Sequence, residues 1–186
     1  DQGDAGVQSH LGFMYYNGNG VAQDYSQALQ WYRKAAEQGN ASAQFNLGFM
    51  YKNGKGVEQD YSQAAEWYRK AADQGDASAQ YNLGLMYHDG KGAAQNYSEV
   101  ADWFRKAAEQ GHASAQFNLG VMYYDGKGVP QNYRQAAFWY RKAGTQGYSL
   151  ALNNLGVMCE KGEGGAKNLV LAHIFYNLAA INGDET

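Results

Sequence analysis

A stretch of 36 residues, Ala41 to Asp76, recurs along this chain with no insertion or deletion between copies. It reads ASAQFNLGFMYKNGKGVEQDYSQAAEWYRKAADQGD. The same register returns at Ala5 to Asn40, Ala77 to His112, Ala113 to Tyr148 and, in degraded form, Ser149 to Asp184. Repetition at that period leaves few architectures open. Each unit is one supersecondary element whose apolar face only a neighbouring copy can cover, so stacking is obligatory. The 186 residues are therefore expected to form one array of five units rather than a single globule.

Within the unit, a first helix is predicted over Ala41 to Asn53, with Leu47, Met50 and Tyr51 on one face. Gly48 sits among them, and the same column holds Gly12, Gly84, Gly120 and Gly156. A glycine inside a helix costs about 1 kcal/mol against alanine, so its recurrence implies a packing reason: close approach of the partner helix, where a Cβ would clash. Gly54 and Gly56 end this helix and turn the chain. The second helix is predicted to start at Asp60, an N-cap with Gln63 at capping-box spacing. The pair recurs as Asp24/Gln27, Asn96/Glu99 and Asn132/Gln135. Ala64, Trp67, Tyr68 and Ala71 form its buried stripe, and Gly75 closes it, as Gly39, Gly111, Gly147 and Gly183 do in the other copies.

The pattern A-x-A-Q-x-N-L-G-x-M-Y-x-x-G-x-G-V-x-Q-[DN]-Y-x-x-A-x-x-W-[YF]-R-K-A-A-x-Q-G resembles the Sel1-like repeat, a relative of the tetratricopeptide repeat with a longer turn. The resemblance extends over essentially the whole chain. It implies an all-α fold, a right-handed α/α superhelix or solenoid of helix-turn-helix repeats, whose concave face is lined mainly by first helices and binds other proteins. It also implies a bacterial source.

Composition narrows the function classes. A net charge of −3 and a pI of about 5.8 give no electrostatic footprint for nucleic acid or an anionic membrane. No apolar run approaches the roughly 18 residues of a membrane span. Cys159 is the only cysteine, which rules out an intrachain disulfide. Some exported Sel1-like families carry a disulfide in each repeat, and this chain departs from them. Cytoplasmic and exported locations both stay open.

The ends differ from the middle. Residues 1 to 4, DQGD, match Asp73 to Asp76 and read as the remnant of a preceding second helix. In the first copy Gly6, Val7, Ser9 and His10 stand where Ser42, Ala43, Phe45 and Asn46 stand in the second. Pro130 precedes the Asn132 cap, where its missing N–H costs nothing. The last second helix, NLVLAHIFYNLAAING, replaces Trp by Phe175 and Arg-Lys by Asn177-Leu178, loses the capping box at Leu171 and turns apolar on its solvated side. That surface is expected to be covered, by further repeats or by a neighbour, which makes self-association through uncovered array ends one expectation.

Positions that vary between copies carry the functional information. Phe45, Asn46, Phe49 and Lys52 lie at helical spacing on the face of the first helix opposite Leu47 and Tyr51. By similarity to tetratricopeptide repeats they line the concave groove. The equivalent columns add Phe13, Tyr16, Tyr81, Asn82, Leu85, His88, Phe117, Asn118, Val121, Tyr124 and Asn154. Apolar and aromatic patches with few charges suit a peptide or helix carrying apolar anchors, and suit a strongly acidic ligand poorly. The asparagines have two readings: bonds to the backbone of a bound peptide, or bonds to the neighbouring repeat that set the spacing. Phe45, Tyr81 and Phe117 likewise either face a partner or pack between repeats. The Arg-Lys pairs, Arg33-Lys34, Arg69-Lys70, Arg105-Lys106 and Arg141-Lys142, read as helix-surface ion pairs with Glu37, Asp73 and Glu109 one turn on, the alternative being a binding role on the convex face.

No constellation for catalysis, metal or cofactor appears. There is no Ser-His-Asp arrangement, metal-ligand spacing or phosphate-binding glycine loop, and the Gly-x-Gly pairs are turns repeated in every copy. Cys159 occupies the column of Tyr51 and reads as an inert core thiol. The chain is accordingly read as a non-enzymatic interaction scaffold. Its rivals are a structural or self-associating spacer and, by resemblance to disulfide-bridged relatives, a β-lactam-binding or hydrolysing enzyme, against which the missing cysteines count.

Overall fold

The computed structural model describes residues 3–92 and 94–183. Asp1, Gln2 and Asp184 to Thr186 lie outside the described residues, and with them part of the helix remnant and the final residue of the last copy. Every element among the described residues is a helix, and the ten helices alternate as the repeat requires. They group into two compact units, Asp1–Gln95 and Asn96–Thr186. The first holds α1 (Ala5–Asn17), α2 (Tyr25–Glu37), α3 (Ala41–Asn53), α4 (Tyr61–Asp73) and α5 (Ala77–Asp89). The second holds α6 (Tyr97–Glu109), α7 (Ala113–Asp125), α8 (Tyr133–Gly144), α9 (Ser149–Lys161) and α10 (Leu169–Gly183). Within each unit every helix packs against the next in sequence.

The ends of the helices follow from local chemistry. Asp60 is extended, and its carboxylate accepts from the amides of Ser62 at 2.9 Å and Gln63 at 3.0 Å, as an N-cap should. The reciprocal half of the expected capping box is not made. The Asp60 N–H donates instead to the Tyr51 carbonyl at 3.0 Å, and the same tie joins Asp24 to Tyr15 and Asn132 to Tyr123. The cap thus locks the second helix to the last turn of the first, which a local box could not do. Asn168 still caps α10 through the Leu171 amide at 2.9 Å although the box partner is gone. Gly54 ends α3 in the left-handed region at φ 65°, while α4 ends at Asp73, with Gly75 two residues on at φ 93°. Gly183 is the last residue of α10 among the described residues.

The recurring mid-helix glycine has the packing reason expected of it. A Cβ on Gly48 would meet the Tyr68 ring at 2.9 Å, and one on Gly120 the Tyr140 ring at 2.7 Å. The second helix therefore presses a buried tyrosine ring into the hole that each glycine leaves. Leu47, Met50, Ala64, Tyr68 and Ala71 are fully buried in the first unit; Ala136, Tyr140, Ala143, Ala151, Leu155 and Met158 form the matching core in the second. Trp67, expected in that core, is only half-buried.

Adjacent copies are clipped together by a glutamine that reads as polar surface in the sequence. Gln44, 5% exposed, donates to the Ala36 carbonyl of the preceding copy at 3.1 Å and accepts from Gln74 of its own copy at 2.7 Å. Gln80 reaches Ala72 O at 3.1 Å and Gln116 reaches Ala108 O at 3.0 Å in the same way. Buried amides are tolerated because both ends are satisfied. In the last copy Leu152 takes the glutamine's place, and Gly144 stands where the other copies have alanine. A Cβ there would lie 2.7 Å from Leu152 Cδ2. The two changes go together.

Candidate functional site

In the first unit the first helices present an aromatic surface. Phe13 is 47% and Phe49 36% exposed, and the Tyr16 ring meets Phe49 edge-on with centroids 6.3 Å apart. Phe45, Tyr81 and Leu85 are half-buried; Phe45 leans on the Tyr68 ring at 5.6 Å, so part of it belongs to the core. Beside Phe49, one turn on, lies Lys52, on the last turn of α3, where the Gln59 amide holds the Lys52 carbonyl at 2.8 Å. Its ammonium is half-buried and 3.1 Å from Asn82 Oδ1. Burial, with Lys91 adding to it and Asp89 opposing, pulls the Lys52 pKa below the usual lysine value. Among the described residues no carboxylate lies within ion-pair reach of it. Asp89 contacts His88 Nδ1 at 3.0 Å and Lys91 at 3.4 Å, and the His88 contact holds its carboxyl below the usual carboxylate range.

The asparagine column does not act uniformly. Asn82 donates to Ser78 O at 2.9 Å and accepts from Lys52 of the preceding copy. Asn46 is half-buried and makes no hydrogen bond among the described residues. In the second unit Asn154 lines a small hollow together with Tyr140 and Tyr124. Asn118 is half-buried. The spacing role and the ligand-ready role are thus both present, at different copies. A consequence the sequence did not signal lies at Tyr68: its hydroxyl is buried and finds no partner among the described residues. Asn82, which corresponds to Asn154, is engaged with Ser78 and Lys52 instead.

The second unit closes its polar groups on one another. The Tyr124 hydroxyl donates to Glu163 Oε2 at 2.8 Å and accepts from Lys161 at 3.2 Å, and the Tyr176 hydroxyl donates to Glu160 at 2.9 Å. Phe117 is held between Tyr140 and Tyr148, at 5.8 and 5.0 Å. Val121 is half-buried, and a hollow of about 110 Å³ is lined by Tyr124, Tyr140, Asn154 and Val157. The outer side of α10 carries exposed Val170, Ile174, Leu178 and Ile181.

The basic stripe of the second helices departs from expectation. Among the described residues, none of Glu37, Asp73 and Glu109 pairs with the arginine one turn before it. Arg33 and Arg69 reach into the next copy instead, Arg33 donating to the Tyr51 hydroxyl at 2.7 Å and Arg69 lying over the Tyr87 ring, whereas Arg105 pairs with Asp102 on its own helix at 2.7 Å. The lysines stack on their own helix, Lys70 lying 3.8 Å from the Trp67 ring centroid. A bond to the next copy's tyrosine fixes repeat spacing, which a carboxylate one turn away would not. Cys159 replaces that tyrosine opposite Arg141. It is half-buried rather than a core thiol; burial raises its pKa and Arg141 opposes the rise.

The Sel1 repeat model matches residues 6–40, 41–76, 77–112, 113–148 and 149–184. The chain belongs to the Sel1 repeat family. Sel1 repeats form a non-catalytic scaffold, and proteins built from them generally mediate protein–protein interaction. Among solved structures the chain is similar to c5321, a protective antigen present in uropathogenic Escherichia coli strains that displays an SLR fold. Identity is 45% over 98% of this chain, with a TM-score of 0.95. The match spans only 39% of the antigen's length. A Sel1 repeat protein from Oxalobacter formigenes is 37% identical over 98% of this chain and 73% of its own, with a TM-score of 0.90. Helicobacter pylori cysteine rich protein B is 26% identical over 72% of this chain and 96% of its own, with a TM-score of 0.55. No curated protein matches the chain.

Proposed function

We propose that this Sel1 repeat chain is an interaction scaffold that binds a peptide or helical segment of a partner protein on the face of its first helices. The observation that carries this reading is the contiguous Phe13–Tyr16–Phe49 surface. Phe13 and Phe49 stay exposed, with Tyr16 half-buried between them, while the buried positions of the same helices are filled by Leu47, Met50 and the tyrosine-into-glycine contacts. Exposed aromatics grouped on rigid helices are the usual anchors of peptide recognition, because they add apolar area at little cost in entropy. The half-buried Asn46 amide supplies a hydrogen-bonding group beside them, of the kind that pairs with a peptide backbone.

Selection of phage-displayed random peptides on the native chain, with affinities re-measured on the Phe13→Ala/Phe49→Ala variant, tests the reading. Both side chains are exposed, so the variant is expected to keep its helical circular dichroism. Loss of a typical anchor pair weakens binding at least tenfold. Peptides that bind both chains equally would move the site off this face.

A further inference from the structure

Resting on that reading, we propose that Lys52, now held by Asn82, is a carboxylate site within the first unit, and that the partner segment bears an Asp or Glu side chain next to the apolar residue seated on Phe49.

Three observations converge on Lys52. Its ammonium is half-buried beside the Phe49–Tyr16 surface, yet its hydrogen bond is to a neutral amide oxygen, Asn82 Oδ1 at 3.1 Å. A cation taken partly out of water ordinarily keeps a carboxylate partner, and here the nearest acid, Asp89, is engaged by His88 and Lys91. The depressed Lys52 pKa reports the same unmet demand for negative charge.

The third observation is the Tyr68 hydroxyl, buried without a partner while Asn82 is turned toward Lys52 and Ser78. Two copies further on, where Tyr124 replaces Lys52, the equivalent Asn154 and the Tyr140 ring border one small hollow together. A buried polar group without a partner destabilises the fold, because its hydration is lost and nothing replaces it. A carboxylate arriving at Lys52 relieves Asn82 of its acceptor role, and its amide oxygen is then free to accept from the Tyr68 hydroxyl. Binding the acid therefore satisfies two groups at once, the ammonium and the orphaned phenol. A single carboxylate fits better than a dianionic phosphate, because Asp89 stands close enough to repel a second negative charge. An apolar neighbour is required because Phe49 and Lys52 lie one turn apart on the same side of α3.

The probes are N-acetylated, C-terminally amidated peptide libraries with a central Phe-Glu, Phe-Gln or Phe-Lys pair and randomised flanks. They are bound to the native chain and to the Lys52→Met, Lys91→Met and Phe49→Ala variants. The native chain is expected to enrich the Glu set over the Gln set by about tenfold, as a partly desolvated charge-assisted bond implies. Lys52→Met abolishes that preference, while Lys91→Met keeps it. Upon binding, the side-chain amide resonance of Asn82, assigned by its loss in Asn82→Asp, shifts with the Glu set and not with the Gln set. Peptides that depend on Phe49 but show no preference for Glu overturn the carboxylate site and leave the aromatic surface standing. A preference that survives Lys52→Met, or vanishes in Lys91→Met, assigns the charge elsewhere and also overturns it. Absence of any Phe49-dependent peptide overturns both readings.

Discussion

The same tyrosine, in the same place, is treated differently in the two units. Tyr68 and Tyr140 both fill the hole left by a glycine, and both are buried. The Tyr140 side chain borders a small hollow with Asn154 beside it; the Tyr68 hydroxyl is buried without a partner among the described residues, and Asn82 is engaged by Lys52 and Ser78. The core is repeated and the surface is not, and the difference travels inward from one surface position. Where the column carries Tyr124, polar groups close on each other through Glu163 and Lys161. Where it carries Lys52, the chain holds an unneutralised cation and leaves a buried phenol without a partner. Near-identical repeats can thus differ in readiness for a ligand without differing in fold.

The contrast can be broken or sharpened by substitution. The largest effect is expected where the units agree: Gly48→Ala and Gly120→Ala each drive a Cβ into a tyrosine ring. Each should lower stability by about 1–3 kcal/mol despite the better helix propensity of alanine, read from urea midpoints. If only one is costly, the two tyrosines are not equivalently packed. A smaller effect of opposite sign is expected at the hydroxyls. Tyr68→Phe removes an orphaned buried group and should stabilise by up to about 1 kcal/mol, whereas Tyr140→Phe, on a ring that borders a hollow, should bring no gain. An equal gain at both positions would break the comparison. The smallest effect belongs to Cys159→Tyr, which gives Arg141 the partner that Arg33 has in Tyr51; a gain of about 0.5 kcal/mol in thermal unfolding is expected.

Much of this was legible in the sequence. The bounds of α3 follow from the glycines and caps around Ala41 and Asn53, since helix termini are decided by local chemistry. The glycine column announced close packing because only a tertiary reason outweighs its propensity cost. What the sequence concealed are bonds between distant residues. Gln44 looks like solvent-exposed polarity until the hairpin brings Ala36 O to it. Asp60 and Gln63 satisfy a capping-box pattern, yet the Asp60 amide is claimed by Tyr51. Arg33 has a glutamate one turn away, a plausible local partner, and bonds instead to a tyrosine eighteen residues on. At the candidate site, the aromatic and asparagine columns were visible, but the competition between Lys52 and Tyr68 for one amide depends on rotamers that no repeat pattern encodes.

The exchange of Gln for Leu152, with Gly144 before it, bears on how such an array can change its length in evolution. Repeats joined by an alanine carbonyl and a glutamine amide share one connector, so unequal crossing-over among the first four copies, adding or deleting whole units, keeps every junction chemically intact. The last junction uses a different connector, in which a leucine fills the space of a missing methyl. A recombinant that placed Leu152 after an alanine-bearing copy would crowd the joint, and one that placed Gln44 after Gly144 would leave a gap. Leu152 and Gly144 therefore exchange only as a pair, and gain or loss of whole units is tolerated most readily among copies that share the alanine–glutamine connector.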